Sequence, residues 1–441
     1  MHSRVSVRFQ ESQIFHFSLA LQVRALFCKN VAKNAANRFL RSLSIVVAIA
    51  APALSAQAQE RASSPAPEPG KAVTAPLIRT PAVQAGVNPL PTVIEPQPTA
   101  RQPGFADKEP EQPVPHVALL LPLASKMFGK VAEALKQGFV SGAEADGKNA
   151  PPYRIYASDD EGASLTAQYR KAYAEGAIAI VGGVTRDGAN AVARESRLLP
   201  TLALNAPIVS SDNDLPDRFF YISLSLDLEA RATARMASAE GVRSIAVLVA
   251  RNPLAQRIQD SFEKEWLRLG GEIAAQISFG GDANDATRVA GAMEKLGPKV
   301  NAVFLAADPA AARTVRPYLP VGMPVFATSH SVDPHAQTIA NLDLDNVRFL
   351  EMPWFAEQDH PAVMAYAKPA QALSVEYERL YALGIDAWRL AQLIVRTENA
   401  RKLPALDGVT GKITLDGHQL TRALSSVEIR DGKSQLYRRS E

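Results

Sequence analysis

The sequence predicts an α/β protein made of two doubly wound parallel-sheet lobes with a hinge cleft between them, preceded by a disordered segment. Three observations carry that expectation. From His116 onward, continuous apolar runs such as Val117–Leu121 alternate with segments whose apolar residues fall three and four apart. The first kind suits strands covered on both faces, the second suits helices, and their regular alternation builds parallel sheets through right-handed crossovers. The alternation occurs twice, one run of strands ending near Ile222 and the next starting near Ile245, so two lobes are expected instead of one large sheet.

The opening strand Val117–Leu121 stops at Pro122, and Val131, Leu135 and Phe139 then recur at spacings of four, which predicts a helix over residues 128–145. Further strands are expected at Arg154–Ala157, Ala177–Val181, Thr201–Leu204, Ile245–Ala250, Ile273–Phe279, Ala302–Ala306 and Val325–Thr328. Helical patterns lie between them at Ser164–Glu175, Gly188–Leu199, Leu228–Ala239, Ala255–Leu269 and Asp285–Leu296. Lobe 1 is accordingly placed at about 116–222 and lobe 2 at about 223–330, each completed by returning segments. The most informative stretch is Ser374–Ala391 with RFLEMPW (Arg348–Trp354) ahead of it. Tyr377, Leu380, Tyr381, Ile385 and Trp388 lie at helical spacing, so it reads as a long helix with one broad buried face that packs across the lobes. From Gly408 to Tyr437 the period changes. TGKITLDG (410–417) and VEIRDGK (427–433) read as short antiparallel strands with Asp-Gly turns.

The first 58 residues hold seven Lys/Arg and one acidic residue. Lys29, Lys33, Arg38 and Arg41 precede a short apolar run, Leu43–Leu54, and then Ala56-Gln57-Ala58, the small-x-small pattern of a cleaved export signal. Residues 1–58 are therefore expected to direct export to the periplasm, with cleavage after Ala58. Residues 1–28 stand ahead of the charged region, which makes Val31 an alternative start. The single cysteine, Cys28, follows Phe27 and precedes the apolar run. That order does not fit lipoprotein processing, so no lipid anchor is expected. Without the leader, 41 basic residues face 44 acidic ones, a net charge of −3, which gives no electrostatic case for nucleic acid. Residues 59–115 contain 13 prolines and few large apolar residues. Such a segment cannot bury enough surface to order itself and is expected to be an extended, disordered linker.

The catalytic search is nearly empty. No Gly-x-Ser-x-Gly elbow, His-Glu-x-x-His helix or phosphate-cradling loop occurs. His330 and His335 with Asp333 form a local cluster, but Pro334 and the lack of a helical frame give no metal spacing. No metal, cofactor or enzymatic activity is expected. Gly182-Gly183-Val184-Thr185 follows an apolar strand and opens a helix, a place where backbone N–H groups favour a carboxylate or other anion. Because open α/β sheets bind ligands at the carboxyl ends of their strands, the cleft candidates are Ser125, Thr185, Arg186, Asn205, Ser329 and His330, as ligand or lobe-closure contacts.

Broadly, residues 116–437 resemble type I periplasmic binding proteins of the branched-chain amino-acid kind, through VALLLPL, the VGGV loop, LDGVTGKITLD and VEIRDGK. More specifically, LPTLALN (199–205), VFATSHSVD (325–333), VRFLEMPW (347–354) and RLYALGIDAW (379–388) are similar to the penicillin-binding protein activator (LppC/LpoA) family. The narrower resemblance implies a non-enzymatic periplasmic regulator that binds and stimulates a class A penicillin-binding protein, the peptidoglycan synthase. The best-known family members carry a lipid anchor and an N-terminal helical-repeat domain, and this chain has the proline-rich segment in place of that domain. The broader resemblance implies a receptor that closes on a small polar ligand for an ABC transporter. Such receptors hold an amino acid through a Ser, an Ala and a Thr on strand-end loops. Here Asn205-Ala206-Pro207 stands at the equivalent loop, and Pro207 lacks a backbone donor.

Overall fold

The computed structural model describes residues 113–438, apart from 210, 212, 213, 281, 400 and 401. The expected leader and cleavage site, Cys28 and nearly all of the proline-rich segment lie outside the described residues. Two sheets follow. In lobe 1, β1 (His116–Leu121), β2 (Tyr153–Ala157), β3 (Ala177–Gly182), β4 (Thr201–Ala203) and β5 (Phe219–Tyr221) pair in parallel, and β11 (Leu406–Gly408), β12 (Gly411–Asp416) and β13 (Gln419–Ala423) extend the sheet in the order β11-β12-β13-β5-β4-β3-β1-β2. In lobe 2, β6 (Ser244–Ala250), β7 (Glu272–Phe279), β8 (Ala302–Ala306), β9 (Val325–Ala327) and β10 (Val347–Glu351) are parallel, and β14 (Ser425–Arg430) and β15 (Lys433–Leu436) add antiparallel edges in the order β15-β14-β10-β9-β8-β6-β7.

The apolar runs become the central strands because both faces are covered. All six residues of β1 are buried, between helices α1 (Gly129–Asp146), α2 (Ala163–Ala174) and α3 (Arg186–Glu195) of the first lobe. Lobe 2 repeats the arrangement with α4 (Leu226–Ala239), α5 (Pro253–Arg268), α6 (Ala283–Leu296) and α7 (Pro309–Val315). There Phe262 on α5 stacks on Phe304 of β8 with ring centroids 3.7 Å apart. Helix starts follow local capping chemistry: Asn252 and Asp282 accept amide hydrogen bonds from the first turns of α5 and α6. Among the described residues no helix is long and apolar enough to cross a membrane.

The long helix forms as expected but runs further, Val375–Arg396 (α8), and it is buried on more than one face. Its middle belongs to the core of lobe 1. Trp388 lies edge-on to Phe139 and Tyr153 at 5.1 and 5.7 Å, and its indole N–H donates to Asp146 Oδ2 at 2.7 Å. On another side, the fully buried Asp386 accepts the Val409 and Thr410 amides and the Thr410 hydroxyl at 3.0, 2.8 and 2.7 Å, which fixes the turn joining β11 to β12. Such a buried carboxylate is sustained by these donors together with the Arg389 guanidinium, 3.5 Å from its Oδ1. RFLEMPW, which carries no periodic signal of its own, is strand β10 followed by one helical turn, Pro353–Ala356.

Helices α1 and α8 touch backbone to backbone. A Cβ on Gly138 would stand 1.8 Å from the Tyr381 carbonyl oxygen, and one on Gly384 would stand 2.2 Å from that of Leu135. Gly384→Ala must push the helices apart and is expected to cost about 1–3 kcal/mol. Gly291, inside α6, has nothing within 4 Å of its would-be Cβ, so Gly291→Ala should instead stabilise by about 0.5–1 kcal/mol. Urea midpoints of the two variants, measured side by side, check this opposition of sign.

Candidate functional site

The chain passes between the lobes three times: at 222–225, through the segment 352–374, and at 423–425. Each passage lines a cavity of about 650 Å³ at the hinge, through Leu224, through Met352 and Leu373, and through Leu424. Lobe 2 adds Ser329 and His330 from the turn after β9, and the first turns of α8 add Arg379 and Leu380.

The polar end of this cavity is a set of buried and half-buried charged groups. Arg379 donates both guanidinium arms to Glu351 at 2.6 Å, tying α8 to the end of β10 across the lobes. With side chains only 17% and 4% exposed, removing one partner would strand a charge in the interior. Beside it, Glu378 receives the Trp354 indole N–H at 2.8 Å and meets His335 Nε2 at 2.7 Å. Glu229, at the start of α4, accepts the amide and hydroxyl of Ser329. Burial pushes its carboxyl up to about 7, against the pull of Arg379. Arg422 of β13 completes the set and donates to the Thr410 carbonyl at 3.1 Å. Burial lowers its affinity for the proton, with Glu229 opposing.

Of the residues singled out from the sequence, Ser329 and His330 line the cavity. Burial holds the His330 imidazole below its ordinary pKa, which favours the neutral ring. Ser125, Thr185, Arg186 and Asn205 stand instead at the strand ends of lobe 1. Ser125 Oγ accepts the Phe128 amide. Asn205 links two strand-end loops, donating to the Val184 carbonyl at 2.8 Å and accepting from the Ala206 amide at 2.9 Å. Arg186 is exposed on the first turn of α3.

Thr185 caps α3 through its hydroxyl, which accepts the Gly188 amide at 3.0 Å. The anion cradle expected at this helix start exists, and the chain fills it itself. Glu161 Oε2 sits 3.1 Å from the Thr185 amide and 3.4 Å from its hydroxyl. Gly188 leaves the room for it, since a Cβ there would fall 1.6 Å from the same oxygen. Glu161 is 6% exposed, and its Oε1 has no hydrogen-bond partner. Sequence reasoning passed over Glu161, Glu229, Glu351, Arg379 and Arg422. Arg379 and Glu351 do lie within RLYALGIDAW and VRFLEMPW, but in a sequence they look like the polar faces of a helix and a strand.

Two lobes of parallel sheet joined by three passages around a hinge cavity define a type I periplasmic-binding-protein-like fold. Residues 110–432 match the family described as "LppC putative lipoprotein", and the chain belongs to that family. Over 324 residues it is 27% identical to the penicillin-binding protein activator LpoA of Edwardsiella piscicida, an alignment covering 64% of this chain and 46% of that protein. The chain therefore spans a little under half the length of that curated relative. Among solved structures, the LpoA C-domain of Haemophilus influenzae, described as a regulator of PBP1A, is 22% identical with a TM-score of 0.58, covering 73% of this chain and 99% of that one. A protein described as a putative branched-chain amino acid ABC transporter from Chromobacterium violaceum ATCC 12472 is 31% identical with a TM-score of 0.61, covering 72% and 100%.

The filled cradle has a measurable signature. Burial pushes the Glu161 carboxyl from 4.5 up to about 7, against the lowering effect of the Thr185 donors. Between those two values the folded chain binds its proton more tightly than the unfolded chain. This contribution to stability is therefore fully present below pH 4.5 and is lost as pH rises through about 7. Glu161→Gln should flatten the dependence of unfolding free energy on pH across that window by up to about one proton. Urea unfolding at a series of pH values reads the slope directly. An unchanged slope would mean that Glu161 is ionised in the folded state throughout.

Proposed function

We propose that this chain is a non-enzymatic periplasmic regulator that binds a class A penicillin-binding protein and stimulates its synthesis of peptidoglycan. Its organisation, on this reading, is an export signal over residues 1–58, a proline-rich tether over 59–115 and a two-lobed effector domain over 116–441. The observation that carries the reading is the match of nearly the whole folded part to proteins named penicillin-binding protein activators. The occupied cradle supports it. A receptor of the amino-acid kind needs its strand-end loops open to a ligand carboxylate, whereas here Glu161 supplies that carboxylate from within. An amide and a hydroxyl already bonded to a buried acid add little to ligand capture.

A second reading, a solute receptor for an ABC transporter, is favoured by the 31% identical neighbour and by the hinge cavity. The two separate in one experiment. Immobilised protein comprising residues 59–441 is incubated with inner-membrane extract whose penicillin-binding proteins carry a labelled β-lactam, and retained synthases are then assayed for glycan polymerisation. Retention of a class A synthase, with faster polymerisation on adding the free protein, is the expected result. No retention, together with a saturable rise in melting temperature from an amino-acid panel, would transfer the assignment to the receptor.

A further inference from the structure

Arg316 of lobe 2 is a sheltered cation without an ion pair. It opens the 3-10 turn Arg316–Tyr318 that follows α7, is 8% exposed, and its Nε is buried with no hydrogen-bond partner. Among the described residues no hydrogen bond or ion pair reaches its guanidinium. Burial lowers its affinity for the proton, with Asp345 opposing. The Asp345 carboxylate is engaged elsewhere, its Oδ1 accepting the Asp431 amide at 2.8 Å and its Oδ2 the Asn346 side-chain amide at 3.1 Å. Arg313, one turn earlier, gives an arm to Asn341 Oδ1 at 3.2 Å. A guanidinium carries five N–H donors in a planar fork that matches a carboxylate. Sheltering one is costly unless an anion meets it.

The surface beside Arg316 is apolar. The turn Arg316–Tyr318 packs against the turn Leu342–Leu344, and Tyr318, Val321, Leu342 and Ile339, the last on the adjoining turn Thr338–Asn341, are all exposed. Exposed apolar residues on adjoining segments mark a contact surface for another macromolecule, and arginine and tyrosine are the side chains that most often anchor one. Asp343, on the turn with Leu342, is exposed as well, so the complementary face carries an acid against Arg316 and a base against Asp343. These residues lie on the connections leading into β9 and β10, at the strand ends opposite Ser329 and Glu351. The surface is therefore separate from the hinge cavity and from the cradle of lobe 1. We propose that this outer end of lobe 2 is the surface that docks on the class A penicillin-binding protein, a carboxylate of the synthase entering the Arg316 fork while its apolar side chains cover Tyr318, Val321, Ile339 and Leu342. The inference rests on the synthase-binding reading above and names the surface that serves it.

The test repeats the retention experiment with three variants and reads the concentration of labelled synthase at half-retention. Arg316→Gln removes the charge and should raise that concentration by about tenfold or more, the effect of losing an interface anchor. Val321→Asp sets an acid at a fully exposed position, where substitution leaves folding almost untouched. It should raise the concentration several-fold by repelling the partner's carboxylate. Leu267→Asp, at an exposed position of α5, is the control and should change nothing. If Arg316→Gln does not fold, Val321→Asp against its control decides alone. Should the unaltered protein retain the synthase while either folded surface variant retains it equally well, or while Leu267→Asp weakens retention as much, the surface is wrong and the synthase reading stands. Should the unaltered protein retain no synthase, the synthase reading itself fails and the surface falls with it.

Discussion

The architecture depends on one constraint, the backbone contact between α1 and α8. Gly138 and Gly384 face each other where any larger residue would meet a carbonyl oxygen. That close approach seats Trp388 between Phe139 and Tyr153 and sinks Asp386 onto the turn between β11 and β12. A helix held this rigidly in lobe 1 can present Glu378 and Arg379 at a defined place beyond it. There they meet His335 and Glu351 of lobe 2. Packing density in one lobe is thereby converted into a polar connection between the two.

The two places where this fold could receive a ligand differ in chemistry. At the lobe 1 strand ends the amide and hydroxyl of Thr185 are engaged by an internal carboxylate, and Asn205 is engaged by neighbouring backbone. These polar groups stabilise loops. At the hinge, apolar walls enclose a compact set of ionic groups. Burying charges is unfavourable unless they are paired, and Glu229, Glu351, Glu378 and Arg379 find their partners within the chain. One scaffold thus carries two chemically different places, since fold and site are separable properties.

Much of the fold was legible from residue order. Continuous apolar runs can be satisfied only between two covering layers, so Val117–Leu121 and Ile245–Ala250 had to be central strands, and the repeat of that pattern required two sheets. The motifs around Arg348–Trp354 and Arg379–Trp388, which resemble the family, also hold residues of the α1–α8 and interlobe contacts. The candidate site was legible only in part. Ser329 and His330 were found because they follow a strand end, whereas Glu229 looks like an ordinary first-turn acid and Arg422 like an exposed strand residue.

The sequence by itself determined the alternation of strands and helices, the change of period near Gly408 and the anion-favouring loop at Thr185, because each follows from interactions among neighbouring residues. Tertiary structure decided the rest. It split the closing strands between two sheets, β11–β13 to lobe 1 and β14–β15 to lobe 2, a choice made by distant partners. It also delivered Glu161, 24 residues from Thr185, to the cradle, and gathered Glu229, Glu351, Arg379 and Arg422 around one hinge. Pairing over such separations is set by the path of the chain and by the energetic demand that buried charges find partners, and neither is written in local periodicity.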